Sequence, residues 1–141
     1  MIALGCDHAA VDFKNSLIEF LQSKGYSCED VGTYTNDSCN YVDYAKKVCE
    51  AVTSGRCEKG ILVCGTGVGM AIAANKQKGI RCVNASEALS AKLSRMHNDT
   101  NVLSMGARMI GLEAGKEITM TWLTTDFEGG RHIERVESLE K

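Results

Sequence analysis

Short apolar runs alternate with longer amphipathic stretches along this chain. The short runs predict five β-strands, at residues 2–6, 26–31, 60–64, 80–84 and 101–105. The longer stretches carry apolar residues at helical spacing and predict six helices, at residues 11–24, 41–54, 69–75, 86–95, 112–123 and 131–139. Gly25 and Gly55 end the first two helices, and Ser86 stands where a side chain caps the fourth. Residues 32–40 are polar and predict a loop.

Strands separated by helices indicate an α/β fold with a mostly parallel sheet covered on both faces. Ligands of such sheets bind beyond the carboxyl ends of the strands. We therefore expect functional residues directly after the predicted strands. These positions hold Asp7 and His8, the segment 65–69, Asn84 and the segment 106–108.

Length and composition narrow the classes of protein. The 141 residues suit one domain, spanning residues 1–141, and their 44% hydrophobic and 24% charged content is that of a globular chain. A net charge of −2 argues against a strongly basic nucleic-acid-binding protein. The longest uncharged stretch, residues 60–75, has 16 residues and four glycines, fewer than the roughly 20 that span a membrane.

Seven cysteines bear on compartment and on metal binding. They include no C-x-x-C pair and no tight Cys/His cluster, so we expect no zinc site. Their odd number, and the absence of a basic-then-apolar leader before Asp7, predict a cytoplasmic chain with reduced thiols. Most of them are expected to be small core residues.

The sharpest motif is the run from Cys64 to Gly69, a thiol at a strand end followed by a glycine-rich loop that enters a helix. Backbone N–H groups at a helix start attract negative charge, and the same field favours a thiolate. A thiolate beside an anion site can act as a base next to an enolate. The structural alternative is a tight turn with a buried cysteine.

Three other classes of glycine-rich loop do not match this segment. Dinucleotide-binding loops need glycine at position 70, and thiol phosphatases need arginine there. This chain has Met70, and the G-K-[ST] of phosphate-loop NTPases is missing.

Three further polar groups are candidates. The pair Asp7–His8 suits proton transfer or a helix cap. The segment 96–101 offers His97 and Asn98, although Asn and Asp also form ordinary turns. Arg131 and Arg135 share a helical face and make a phosphate clamp or a solvated surface, and Arg108 adds a positive charge. Together these groups fit proton transfer beside the carbonyl of a small phosphorylated compound, with no metal set.

The chain resembles the type B ribose-5-phosphate isomerases, within the larger family that includes galactose-6-phosphate and allose-6-phosphate isomerases. The resemblance spans residues 1–137 and rests on the motifs GCDHA, YVDYA, GILVCGTGVGMAIAANK, IRCVN, SRMHNDTNVLSMGAR and FEGGRHIERV. It implies a Rossmann-like three-layer α/β/α sandwich with a five-stranded sheet. It also implies a dimer or a dimer of dimers with active sites at the subunit interface, and no metal or organic cofactor.

The resemblance also implies roles for individual residues. Cys64 is then the base that moves a proton between carbons 1 and 2, while His97, with Thr66 close to that step, helps open the furanose ring. The expected substrate-binding residues are Asp7, His8, Tyr41, Gly65, Gly67, Val68, Gly69, Asn98, Arg108, Arg131 and Arg135. Some relatives carry a glutamate base at the position of Met70, so Cys64 places this chain in the cysteine branch. Val42 replaces a proline frequent in the family, which puts the rigidity of that loop in doubt.

The implied activity is the interconversion of ribose 5-phosphate and ribulose 5-phosphate, in the non-oxidative branch of the pentose phosphate pathway. The same residues with a roomier pocket would suit allose 6-phosphate or galactose 6-phosphate. A non-catalytic phosphosugar-binding module is a third interpretation, against which the intact Cys64 and His97 argue.

Overall fold

The computed structural model describes all 141 residues. The five strands are β1 (Ile2–Cys6), β2 (Cys28–Gly32), β3 (Lys59–Cys64), β4 (Cys82–Asn84) and β5 (Val102–Gly106). The six helices are α1 (Val11–Ser23), α2 (Tyr41–Thr53), α3 (Val68–Asn75), α4 (Ala88–Asn98), α5 (Leu112–Leu123) and α6 (His132–Leu139). No helix combines the length and the apolar character needed to cross a membrane.

The strands form one sheet in the order β2-β1-β3-β5-β4, and every neighbouring pair is parallel. From β1 the chain passes to β2 on one side, whereas β3 pairs with β1 on the other. The connections therefore diverge between β1 and β3, and at such a point α/β sheets generally have a ligand-binding crevice at the carboxyl ends of the two strands. Cys6 pairs with Val63, so the residues that follow β1 and β3 lie side by side at that crevice.

Helices cover both faces of the sheet. On one face, Leu17 and Leu21 of α1 and Trp122 of α5 are fully buried in a cluster with the strands. On the other face, Val48 of α2 and Met70 of α3 are fully buried in a second cluster. The predicted three-layer α/β/α sandwich is confirmed, with a sheet that is parallel throughout.

Helix α4 differs from its predicted limits at both ends. Its N-cap is Glu87, whose carboxylate accepts the N–H of Ser90 at 2.7 Å, so the expected cap at Ser86 is wrong. It ends at Asn98 rather than Arg95, with Asp99 in the left-handed region at φ 48°. Arg95 stabilises this ending because its guanidinium donates to the Asp99 carboxylate at 2.8 Å. His97 and Asn98 therefore lie in the last helical turn.

Lys14 on α1 is a fully buried cation. Its ammonium lies 2.6 Å from Asp30 Oδ1 and donates to the carbonyl of Thr33 at 2.7 Å. A buried charge is tolerated only where it is paired and hydrogen-bonded, and both conditions hold here. Lys14 thus ties α1 to the end of β2 and to the loop before α2.

Candidate active site

The loop between β3 and α3 holds the sulfur of Cys64 at a helix N-terminus. Gly67 is the N-cap, and its φ of 81° is a left-handed conformation that favours glycine. The N–H of Gly67 donates to Cys64 Sγ at 3.1 Å, and the Cys64 residue is only 6% exposed. The sulfur thus lies at the positive end of the dipole of α3, a position at which helices bind anions.

Strand β5, which pairs with β3, holds this loop in place. Ser104 on β5 donates its hydroxyl to the carbonyl of Gly67 at 2.7 Å. A Cβ atom on Gly67 would lie 2.6 Å from Asn84 Oδ1 and 2.8 Å from the carbonyl carbon of Met105, and one on Gly106 would lie 2.5 Å from the carbonyl carbon of Thr66. Only glycine fits at these two positions. The backbone of the loop after β3 therefore packs directly against the backbone at the end of β5.

Asp7 and His8 lie beside this loop because β1 is next to β3. The N–H of Asp7 donates to the carbonyl of Val63 at 3.2 Å, while the Asp7 carboxylate accepts the N–H of Ala9 at 3.0 Å. The N–H of Cys39 donates to Nδ1 of His8 at 3.3 Å. Since Nδ1 accepts, the neutral ring of His8 carries its proton on Nε2, which leaves that nitrogen as a donor.

Tyr41 and Arg108 complete this edge of the sheet. A Cβ on Gly69 would lie 2.8 Å from the ring of Tyr41, and one on Gly65 would lie 3.3 Å from a terminal nitrogen of Arg108. Both side chains are exposed, as are Thr66 and Val68. The structure thus brings together the expected residues at the carboxyl edge, which are Asp7, His8, Tyr41, Cys64, Gly65, Thr66, Gly67, Val68, Gly69 and Arg108.

The other four expected residues lie at the opposite edge of the same chain. Helix α4 runs from the carboxyl end of β4 to the amino end of β5, so His97 and Asn98 in its last turn lie at the amino edge. The N–H of Glu128 donates to the carbonyl of Met96 at 3.0 Å, which holds the segment before α6 against that turn. Arg131 and Arg135, at the start of α6, lie in this second group. A five-residue strand separates the edges by roughly 17 Å.

His97 belongs to a cluster that the sequence did not predict. Its ring stacks on that of His132, with centroids 4.6 Å apart and planes inclined by 21°. His132 is 5% exposed, its Nε2 has no hydrogen-bond partner, and the Glu128 carboxylate lies 3.8 Å from that nitrogen. Burial and then the neighbouring His97 lower the pKa of His132 below its usual value. His97 and His132 are far apart in sequence and do not have the short spacing that marks metal ligands in a sequence, so no sequence motif predicts their contact.

Of the other six cysteines, Cys6, Cys49 and Cys57 are buried in the core, whereas Cys28, Cys39 and Cys82 are partly exposed. All seven thiols are unpaired, and burial raises the pKa of Cys6 to about 12 and that of Cys49 to about 11. These two thiols therefore stay protonated near neutral pH. The sulfur of Cys64 has a different hydrogen-bond partner, since it accepts an N–H at the start of a helix.

A family model described as Ribose/Galactose Isomerase matches residues 2–139. The chain belongs to the ribose/galactose isomerase family. Among relatives in this family, Ribose-5-phosphate isomerase B of Escherichia coli (strain K12) is 49% identical, over 98% of this chain and 93% of the relative. D-erythrulose-4-phosphate isomerase of Pectobacterium atrosepticum is 42% identical, over 98% of this chain and 91% of the relative.

A solved structure shows the same fold within the ribose/galactose isomerase family. Ribose-5-Phosphate Isomerase B of Clostridium thermocellum superposes with a TM-score of 0.97 at 45% identity, covering 99% of this chain and 94% of that one. The expected family and the expected three-layer fold are thereby confirmed.

Proposed function

We propose that this chain is a cofactor-independent aldose–ketose isomerase that interconverts D-ribose 5-phosphate and D-ribulose 5-phosphate. The observation that carries the proposal is the sulfur of Cys64, held by the Gly67 N–H at the start of α3 and next to Asp7 and His8. A base at the N-terminus of a helix suits proton transfer beside an oxyanion. The family and the 49% identity of the Escherichia coli relative support the choice of substrate.

The reaction begins with ring opening and continues with a proton transfer. His97 acts as the acid–base group that opens the furanose, and Thr66 lies close to that step. The Cys64 thiolate then removes the proton from carbon 2 of the open aldose, and the electron pair moves onto the carbon 1 oxygen to give a cis-enediolate. The enediolate oxygens exchange their proton, and the Cys64 thiol returns its proton to carbon 1 to give the ketose. The same steps run in reverse.

Backbone donors at the start of α3 stabilise the enediolate. The first N–H groups of a helix have no intrahelical acceptor. That of Gly67 donates to Cys64 Sγ and that of Val68 to Thr66 Oγ1, so the N–H of Gly69 is the first one left to donate to a substrate oxygen. Preorganised donors of this kind are each worth roughly 2.7–4 kcal/mol in the transition state. Gly65, Gly67, Val68 and Gly69 form this backbone, and Asp7, His8 and Tyr41 bind the sugar beside it.

The proposed active site is assembled from two copies of the chain. His97 and Asn98 lie at the amino edge of the sheet and Cys64 at the carboxyl edge, separated by roughly the length of a strand, about 17 Å. A five-carbon sugar phosphate cannot bridge them. In a symmetric dimer, the His97 edge of one copy can face the Cys64 edge of the other. Arg131 and Arg135 of that neighbour would then bind the phosphate together with Arg108.

Helix α3 supports a contact between copies. It is apolar on its exposed side as well as on its buried side, with Val68 49% and Ile72 56% exposed. A helix that is apolar all round is normally buried. A second copy placed over Val68 and Ile72 would cover this face next to the catalytic loop. Whether two or four copies assemble follows from a molar-mass measurement of the purified protein.

Turnover of the purified protein on four substrates tests the activity. We expect a higher kcat/KM for ribose 5-phosphate than for allose 6-phosphate, galactose 6-phosphate or erythrulose 4-phosphate. The last compound is included because of the Pectobacterium atrosepticum relative. Preference for another of these sugars would keep the mechanism and change the substrate. Absence of turnover on all four would leave a phosphosugar-binding module and contradict the proposed catalysis.

The unpaired thiols agree with a reducing compartment. Seven free cysteines persist where glutathione and thioredoxin keep thiols reduced. We propose a cytoplasmic location, which these unpaired thiols support and in which a thiolate base would stay reduced.

A further inference from the structure

The cluster of His97, Glu128 and His132 brings three metal-ligating side chains from three elements to one place. Each offers a ligand atom, and these atoms all lie within 4.8 Å of one another. His97 is in the last turn of α4, Glu128 in the segment before α6, and His132 in the first turn of α6. Two imidazoles and a carboxylate are a ligand set typical of zinc sites that keep one position open.

The state of His132 is the second observation that points to a ligand. Its side chain is almost completely buried, yet Nε2 has neither a hydrogen-bond partner nor contact with solvent. Buried polar atoms are normally satisfied, and each exception requires an explanation. The carboxylate of Glu128 faces this nitrogen from 3.8 Å, too far for a hydrogen bond. A cation between the two groups would satisfy both.

The distances allow a shared ion after small side-chain rotations. Ligands of a tetrahedral zinc ion lie about 2.0–2.2 Å from the metal and therefore about 3.3 Å from one another. The donors lie within 4.8 Å of one another, so the separation has to shrink by no more than about 1.5 Å. Glu128 is half exposed and His97 is half-buried, which leaves both side chains room to turn.

We propose that His97, Glu128 and His132 bind one divalent transition-metal ion of the Zn²⁺ class, and that bound metal inhibits the isomerase. A coordinated imidazole nitrogen has no lone pair left to accept a proton. An ion on His97 therefore blocks the acid–base group of ring opening. The inhibitory effect rests on the role given to His97 under the proposed function, whereas the binding of the metal does not.

Metal binding is measured directly, so that it does not depend on turnover. Titration of chelator-treated protein with Zn²⁺ by calorimetry is expected to show one site per chain. We use the Cys64→Ala variant for this titration, because thiolates also bind zinc. Co²⁺ bound to this variant should show visible d–d absorption without the intense near-ultraviolet band of a cobalt–thiolate bond. No binding in the Cys64→Ala variant would overturn the proposal.

Two ligand variants and one matched control assign the site. Glu128→Gln removes one exposed ligand and should weaken zinc binding by about tenfold or more. Mutation of a residue that only hydrogen-bonds to a metal ligand already lowers metal affinity by about 10–100-fold. His132→Gln should abolish the site. Glu134→Gln removes an exposed charge on α6 outside the cluster and should bind zinc like the unmodified protein. Equal affinity in Glu128→Gln and Glu134→Gln would overturn the assignment, and this comparison stands even if His132→Gln does not fold.

Activity measurements then test the inhibition. Zn²⁺ should lower the turnover of the unmodified enzyme and of Glu134→Gln, and EDTA should restore it. Glu128→Gln should keep its metal-free turnover and need about tenfold or more zinc for the same inhibition. Inhibition unchanged in Glu128→Gln would assign the effect to a thiol and contradict the regulatory part. If the unmodified protein had no isomerase turnover, the proposed function would be refuted. The calorimetric titration would still show whether the metal site exists.

Discussion

Cys64 differs from the core thiols in what its sulfur contacts. Cys6 Sγ lies 3.7 Å from the carbonyl of Thr33, whereas Cys64 Sγ accepts an N–H at 3.1 Å at the start of a helix. A carbonyl oxygen repels a thiolate and an N–H group stabilises it. The local backbone therefore distinguishes Cys64, the proposed base, from Cys6, even though both side chains are buried.

Replacement of Cys64 by alanine should remove proton transfer and leave substrate binding intact. Loss of a general base lowers a rate by typically 10²–10⁴-fold, so we expect kcat to fall by about that factor. Isothermal titration with ribose 5-phosphate should still show binding, since the phosphate contacts remain. Cys28→Ala, at the amino end of β2, is the matched control and should keep its kcat. A Cys64→Ala enzyme with substantial turnover would show that another group is the base.

At the scale of elements, the turn that joins β3 to α3 places the sulfur. Gly67 combines a left-handed φ with a site where a Cβ would lie 2.6 Å from Asn84 Oδ1. The conformation costs roughly 1–2 kcal/mol for other residues, and overpacking adds typically 1–3 kcal/mol. Gly67→Ala should therefore lower the free energy of unfolding by about 2–5 kcal/mol in urea denaturation.

Gly111 supplies the control for this substitution. It is the N-cap of α5, with φ −78° and open space around the position of a Cβ. Gly111→Ala should change stability much less than Gly67→Ala and leave kcat unaltered. If Gly67→Ala lowered the free energy of unfolding no more than Gly111→Ala does, the turn at Gly67 would tolerate a side chain, and close packing against β5 would not hold it.

Most strands and helices could be predicted from the sequence, because buried runs and amphipathic spacing record how each element packs. The end of α4 could not. Asn98 and Asp99 both favour turns locally, but the Arg95–Asp99 ion pair holds the turn at Asp99 and α6 packs against α4, so the helix continues to Asn98. The burial of Lys14 could not be predicted either, because its partners Asp30 and Thr33 are distant in sequence.

The candidate site could be predicted only in part, because contacts between residues that are distant in sequence leave no local pattern. Residues after β1 and β3 were expected to converge because the carboxyl ends of parallel strands share an edge, and Asp7, His8 and Cys64 do so. His132 and Glu128 lie within the motif FEGGRHIERV, but nothing in the sequence predicts their contact with His97. Their relation to His97 depends on how α6 folds back on α4, which is a tertiary contact without a local pattern.

At the scale of the whole molecule, the sheet separates two half-sites. The carboxyl edge carries Cys64, the proposed base, and the proposed oxyanion donors, and the amino edge carries His97, Asn98 and the two arginines of α6. The proposed dimer joins the carboxyl edge of each copy to the amino edge of the other. Each dimer then has two active sites, and each site takes one half from each chain.

Mixing two inactive variants distinguishes shared sites from sites within one chain. In a hybrid dimer of Cys64→Ala and His97→Asn, one site carries both defects, while the other combines an intact Cys64 with an intact His97. If subunits exchange at random, half of the dimers are hybrids and each has one working site, so turnover should recover to about a quarter of the unmodified level. Subunits are exchanged by mild denaturation and refolding of equal amounts. Each variant refolded alone is the control and should stay inactive. If both groups acted within one chain, no pairing could restore them, and a mixture that stays inactive after confirmed exchange would contradict the shared site.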